Sequence, residues 1–126
     1  MFVPDTNIII QAFLGKEPYA SWLVENIKAK KMLLSAVVLA ELLSGANKDE
    51  ENAIIKMLNV VEVFSVGKKV AQIGGEYRRK YNQKSKKVWL MDCLIAATCK
   101  VHGATLVTYD KKDYPMKDIK ILNLKS

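Results

Sequence analysis

The sequence predicts an α/β fold: a single domain over residues 1–126 with three α/β/α layers and a mainly parallel central sheet. Short apolar segments that suit strands alternate along the chain with longer segments whose apolar residues recur at helical spacing. No repeat or low-complexity segment interrupts this alternation. The composition is that of an ordinary globular protein, with 50% hydrophobic and 26% charged residues. Strands that alternate with helices usually pair in parallel, and the helices then cover both faces of the sheet.

The first half of the chain supplies two strands and three helices. We predict a strand over residues 1–4, a helix from Thr6 to about Leu14, a helix over 20–30, a strand over 32–34 and a helix from Ser35 to Leu43. Thr6 and Ser35 are residue types that cap helix N-termini. Glycines at positions 15 and 45 follow the first and last of these helices, where helices commonly end.

The second half continues the same alternation. We predict a helix over 49–58, a strand over 60–66, a helix over 68–81, a polar loop over 82–87, a helix over 89–102 closed by Gly103, a strand over 104–108 and an edge strand over 120–122. The Gly74-Gly75 pair is unfavourable inside the helix over 68–81. Sites in parallel sheets form beyond the carboxyl ends of the strands, which is where Asp5 and Asp110 fall.

Several features favour a protein of the cytoplasm. No apolar run approaches the roughly 18 residues that span a bilayer. The opening MFVPDTN lacks the basic region of a secretory signal. Cys93 and Cys99 are six residues apart on one predicted helix, on different faces, so we expect them to be buried free thiols rather than a disulfide.

The net charge of +7 favours a polyanionic partner. The basic residues are concentrated between positions 68 and 87, where the only acid is Glu76. This stretch is either a solvated helix face or a surface that contacts the phosphates of RNA. Its basic residues are Lys68, Lys69, Arg78, Arg79, Lys80, Lys84, Lys86 and Lys87.

Four of the thirteen acidic residues stand in apolar surroundings. Asp5 is the only charged residue among the first 15, Glu41 the only one in residues 32–46, and Asp92 the only one in residues 88–99. Asp110 ends the apolar run ATLVTY. A buried isolated carboxylate costs several kcal/mol, so it takes up a proton or binds a cation.

These four acids predict a metal site with hydrolytic chemistry. Carboxylates that converge repel one another unless a hard divalent cation lies among them, and an all-oxygen site suits Mg²⁺ or Mn²⁺. Such a cation activates water and stabilises charge on a phosphodiester. A basic surface beside it would bind nucleic acid by its phosphates, so the residues point to phosphodiester hydrolysis without separating RNA from DNA.

Four sequence blocks resemble the PIN-domain family. Asp5-Thr6-Asn7 after the first strand looks like its opening signature, and SAVVLAELLSG, with Ser35 and Glu41, is similar to its second block. The run MDCLIAATCKVHGATLVTYD, with Asp92, Thr108 and Asp110, resembles its third block and closing strand end. The blocks stand in the family's order across nearly the whole chain. A compact chain of this kind most resembles the toxin component of VapBC-type toxin–antitoxin pairs.

The resemblance implies a Mg²⁺- or Mn²⁺-dependent endoribonuclease that cuts structured RNA such as tRNA. It also implies a homodimer and a small antitoxin protein that neutralises it. Carried over by position, Asp5, Glu41, Asp92 and Asp110 are the catalytic and metal-binding acids. Thr6, Asn7 and Thr108 are supporting residues. Asp113, in DKKDYP, is expected in a supporting role behind Asp110 or as a solvated turn residue.

Three other functions fit parts of the pattern. A catalytically silent PIN-like module would bind RNA or protein without cutting it, but such a domain is expected to have lost one of the acids. A flap-type DNA nuclease usually carries more acids and an extended helical region. A phospho-receiver needs adjacent acids after its first strand and a lysine after a late one, whereas Thr6 and the run Thr108-Tyr109-Asp110 occupy those places here.

Overall fold

The computed structural model describes residues 1–125 and contains parallel strands that alternate with helices. The strands are Phe2–Pro4 (β1), Leu33–Ser35 (β2), Glu62–Phe64 (β3), Thr105–Thr108 (β4) and Lys120–Asn123 (β5). The helices are Thr6–Phe13 (α1), Tyr19–Lys28 (α2), Ala36–Ser44 (α3), Lys48–Leu58 (α4), Lys68–Tyr81 (α5) and Leu90–His102 (α6). A short 3-10 turn, Lys111–Asp113, follows β4. The predicted elements are confirmed, with small shifts at their ends and a shorter third strand.

The strand order places a site between β1 and β4. Strands β1, β4 and β5 form one parallel sheet in the order β1-β4-β5, and β2 pairs in parallel with β3. A single parallel bridge between Phe2 and Met32 joins the two sheets, so the strands lie in the order β3-β2-β1-β4-β5. The chain order reverses between β1 and β4. Ligands of open parallel sheets bind at such a switch point, beyond the carboxyl ends of the strands.

Burial of the central strands confirms the three-layer arrangement. All residues of β2 are buried, and Leu106, Val107 and Thr108 of β4 are at most 1% exposed. Because neighbouring strand residues point to opposite faces, both faces of these strands must be covered by helices. The edge strands β3 and β5 are more exposed. No helix within residues 1–125 is long and apolar enough to span a membrane.

Helix α5 passes through the Gly74-Gly75 pair because one of these glycines is needed for packing. Gly74 is buried, and a Cβ there would lie 2.6 Å from a methyl carbon of Leu94 in α6. The missing side chain therefore lets α5 and α6 approach closely. Helix α6 ends where predicted, because Gly103 takes a left-handed conformation with φ of 62°.

The cysteines are free and buried, as predicted. Burial raises the pKa of the Cys93 thiol to about 11 and that of the Cys99 thiol to about 12. Both thiols are therefore protonated at neutral pH, which makes them poor nucleophiles and poor metal ligands.

Candidate active site

A polar cavity of about 160 Å³ opens where β1, α1, α3, α6 and the 3-10 turn meet. Four of its lining residues are acids, which come from four separate segments of the chain. Its lining residues are Asp5, Thr6, Asn7, Glu41, Asp92, Ile95, Asp113 and Tyr114. The sequence predicted a site beyond the carboxyl ends of the strands, and the cavity lies at that edge, where β1 and β4 are neighbours.

Asp5 connects the end of β1 to the start of α1. Its backbone N–H donates to the Val107 carbonyl at 2.9 Å, and its carboxylate accepts from the Ile8 N–H at 3.2 Å. Asp5, rather than Thr6, is therefore the N-cap of α1, which corrects the prediction from sequence. Burial raises the pKa of Asp5, although hydrogen bonds from Thr108, Ile8 and Tyr114 act in the opposite direction.

Thr6 donates a hydrogen bond to the second acid, Glu41, instead of capping α1. Its hydroxyl donates to Glu41 Oε1 at 2.7 Å, which links the start of α1 to the middle of α3. The second predicted cap is confirmed, because the Ser35 hydroxyl accepts from the Val37 N–H at 3.1 Å. Together these contacts set the position of α3 and the direction of its half-buried carboxylate.

Asp92 lies in the first turn of α6, half-buried at the cavity wall. Its pKa is raised to about 6, first by burial and then by the negative charges of Asp113, Glu41 and Asp5. The negative charges of the three other acids of the cavity therefore act on Asp92. Such strong perturbation in a cleft is typical of functional sites.

Tyr114 joins two of the acids from the far side of the cavity. Its hydroxyl lies 3.3 Å from Asp5 Oδ2 and 3.4 Å from Asp92 Oδ1. The side chain is 4% exposed, and burial together with the two carboxylates raises its pKa, so it remains a proton donor. Sequence reasoning missed this residue, because nothing in DKKDYP indicates that the tyrosine turns inward.

The carboxyls of Asp110 and Asp113 lie side by side after β4, and only one of them lines the cavity. Asp113 lines the cavity, whereas Asp110 does not. The Asp110 N–H donates to the Thr108 hydroxyl at 3.0 Å, and its carboxylate lies 3.9 Å from Lys112 Nζ at the surface. The 3-10 turn after β4 then brings the chain back, so that the acid three residues later faces the site.

One residue of the basic stretch, Lys86, lies near the acidic cavity. Of its eight members, only Arg78 is not exposed, and its Nε is buried without a hydrogen-bond partner among the described residues. Lys86, in the loop between α5 and α6, lowers the pKa of Asp113, as does Lys112. The lysine at position 112 was not part of the predicted basic surface. Two cations, Lys86 and Lys112, therefore lie near Asp113 at the edge of the cavity.

The donors of the cavity fit a hard divalent cation. Four carboxylates supply oxygen ligands, and no basic side chain lines the cavity. Within residues 1–125, however, no three His, Cys, Asp or Glu side chains stand together as a ready-made metal site. Thr6 and Tyr114 instead hold carboxylates of the cavity in hydrogen bonds within the protein.

Comparison with known proteins assigns the chain to a family. The PIN domain family matches residues 2–121, so the chain belongs to the PIN-domain family. Ribonuclease VapC19 of Mycobacterium tuberculosis is 32% identical over 113 residues, which cover 89% of this chain and 90% of that protein. Ribonuclease VapC2 of Rickettsia felis is 30% identical over 121 residues, which cover 90% of this chain and 90% of that protein. The relatives are thus VapC members of the family.

Solved structures show the same fold. A chain in the crystal structure of VapBC2 from Rickettsia felis bound to a DNA fragment from their promoter matches with a TM-score of 0.82 and 26% identity over 98% of both chains. A chain of FitAcB from Neisseria gonorrhoeae matches with a TM-score of 0.77 and 27% identity, covering 98% of this chain and 97% of that one. The resemblance stated from the sequence blocks is confirmed.

Proposed function

We propose that this protein is a Mg²⁺- or Mn²⁺-dependent endoribonuclease and the toxin of a toxin–antitoxin pair. The observation that carries the proposal is the cavity at the switch point of the sheet, which is lined by four acids from separate segments of the chain. The names of the VapC relatives support ribonuclease activity. The all-oxygen donor set supports the choice of metal.

The proposed ligands are Asp5, Glu41, Asp92 and Asp113. Asp113 takes the place predicted for Asp110, because Asp113 lines the cavity. Asp110 lies beside it and raises its pKa, so it has a supporting role. When bound, the cation supplies Lewis-acid activation of water and neutralises charge on the phosphodiester.

The protein's own groups orient these acids and exclude water. Thr6 holds Glu41, and Tyr114 donates to Asp5 and Asp92. Thr108 lowers the pKa of Asp5, which favours the carboxylate form that binds a cation. Asn7 lines the open side of the cavity, where it is placed to contact the substrate. Ile95 closes the bottom with an apolar side chain that is 1% exposed.

The proposed substrate is structured RNA such as tRNA, held through its phosphates. The exposed lysines near Asp113, Lys86 and Lys112, supply positive charge for these contacts. The proposed partners are a second copy of the chain and a small antitoxin, because the matched structures include VapBC2 and FitAcB assemblies. We place the reaction in the cytoplasm, where RNA and such a partner are present.

The test is cleavage of total tRNA with Mn²⁺, with and without EDTA, by the wild type and by two matched pairs of variants. Asp92→Asn is paired with Glu62→Gln, an exposed acid on the edge strand β3. Asp113→Asn is paired with Asp110→Asn. We expect Mn²⁺-dependent fragments that Asp92→Asn and Asp113→Asn abolish, with activity retained in Glu62→Gln and largely retained in Asp110→Asn.

Other outcomes would count against the proposal. Cleavage that survives EDTA and Asp92→Asn would exclude the acidic cavity as the catalytic centre. Loss of activity in Asp110→Asn but not in Asp113→Asn would restore the order predicted from the sequence. Absence of both cleavage and Mn²⁺ binding by calorimetry would favour a silent module that binds RNA or protein.

A further inference from the structure

Three consecutive large apolar side chains are exposed beside the acidic cavity. Trp89 is 68% exposed, Leu90 45% and Met91 46%, and we call these three residues the apolar ridge. The ridge occupies the N-cap and first two positions of α6, and Asp92 follows it directly. Residues three apart at the start of a helix are about 5–6 Å apart, so Trp89 is a near neighbour of Asp92.

Hydrogen bonds hold the backbone on both sides of Trp89, whose ring lies at the surface. Val88 before it is 2% exposed, and its N–H donates to Asn82 Oδ1 at 3.1 Å. The Trp89 carbonyl accepts the Cys93 N–H at 3.1 Å in the first turn of α6. An aromatic ring on a backbone that is held on both sides, and open to solvent, can receive a flat apolar partner with little reorganisation of the chain.

The charge around the ridge favours a polyanion over another copy of this chain. The loop over residues 82–87 precedes the ridge and carries exposed Lys84, Lys86 and Lys87. Lys86 acts on Asp113, so this loop lies along the cavity. With a net charge of +7, two copies that met at these lysines would repel one another. Single-stranded nucleic acid binds to surfaces of this kind, which combine cations with an aromatic platform.

We propose that Trp89 stacks on an unpaired base of the RNA strand that crosses the acidic cavity, while the neighbouring lysines bind its phosphates. The proposal rests on the proposed ribonuclease function and adds a positioning residue to it. Stacking accepts any base, so Trp89 contributes affinity and local strand opening rather than a sequence code. Within structured RNA, Trp89 favours loops and bulges, because their bases are already unpaired.

The fluorescence of Trp89 tests directly whether a base stacks on its ring. The chain has two tryptophans, so Trp22→Phe leaves Trp89 as the only one, and the phenylalanine can keep the edge-to-face contact with Phe2. In EDTA, which blocks metal-dependent cleavage, this variant is titrated with a 12-nucleotide single-stranded RNA and with the same backbone made abasic. We expect quenching by the RNA that the abasic strand does not reproduce.

Affinity and kinetics complete the test. Trp89→Ala is expected to weaken RNA binding by about tenfold or more, Trp89→Phe by only about threefold, and Val60→Ala, an exposed apolar control, not at all. With Mn²⁺, Trp89→Ala should raise KM and leave kcat nearly unchanged.

Each contrary result has a separate meaning. Equal quenching by abasic RNA, or unchanged RNA affinity in Trp89→Ala, would refute the stacking role even if the wild type cuts RNA. A change from dimer to monomer in Trp89→Ala by light scattering, with RNA affinity unchanged, would assign the ridge to a protein interface. Base-dependent quenching without cleavage would keep the stacking role and refute the nuclease.

Discussion

Neutralising Asp92 should stabilise the metal-free protein at neutral pH. An aspartate carboxyl ordinarily has a pKa of 3.8, and the fold raises the pKa of Asp92 to about 6. One pKa unit corresponds to about 1.36 kcal/mol, so this gap corresponds to about 3 kcal/mol. Because Asp92 is only half-buried, solvent screening reduces the effect to roughly 1–2 kcal/mol.

The direction of the pH dependence follows from the raised pKa. Below about pH 3.8 the carboxyl is protonated in the folded and unfolded chains, so it has no effect on stability. As the pH rises through the window from 3.8 to about 6, the unfolded chain releases its proton first, and the folded state loses stability. Above about pH 6 the full destabilisation is present. Asp92→Asn removes it and keeps an oxygen that can accept from Tyr114.

Urea unfolding in EDTA at pH 4 and pH 7.5 measures this effect. Asp92→Asn is expected to raise the free energy of unfolding by roughly 1–2 kcal/mol at pH 7.5 and by much less at pH 4. Glu62→Gln, at an exposed position, should change it by less than about 0.5 kcal/mol at either pH. A variant that is equally stable or less stable than the wild type at pH 7.5 would refute the view that crowded carboxylates destabilise the metal-free site.

Three further predictions concern contacts that the structure reveals. Tyr114→Phe removes the hydroxyl shared by two acids and should cost about 1–2 kcal/mol of stability in EDTA, measured by urea unfolding. Thr6→Val releases Glu41 and should weaken Mn²⁺ binding several-fold by calorimetry; unchanged affinity would separate that hydrogen bond from the metal site. Gly74→Ala should be less stable than Gly75→Ala by about 1–2 kcal/mol, because a Cβ meets a leucine of α6 only at the former. Thermal unfolding of both variants would show the difference, and equal melting temperatures would contradict the close approach of α5 and α6.

The sequence predicts the framework of the site well because local patterns determine it. The apolar strand before Asp5 and the apolar helix after Asp92 read clearly from hydrophobic periodicity. The order of the parallel strands then brings the ends of β1 and β4 together. Isolated charges in apolar segments were therefore sufficient to find three acids that line the cavity.

The rest of the site depends on tertiary contacts that no local pattern encodes. Thr6 and Glu41 are 35 residues apart, and Tyr114 and Asp5 are 109 apart. The choice between Asp110 and Asp113 depends on the direction of a three-residue turn after β4. Position at the strand end favoured the first of these acids, but its N–H donates to the Thr108 hydroxyl, and its carboxylate lies between Lys112 and Asp113 without lining the cavity.

The fold itself compensates part of the charge that it concentrates in the cavity. Asp5 is the N-cap of α1, and Asp92 lies in the first turn of α6, so both carboxylates are near the positive end of a helix dipole. Glu41 lies in the middle of α3, away from the positive end of that helix dipole, and its carboxylate accepts a hydrogen bond from Thr6 instead. Asp5 therefore has two separable roles. Asp5→Asn keeps the helix cap and removes a proposed metal ligand, whereas Asp5→Ala removes both, and only their comparison separates structure from chemistry.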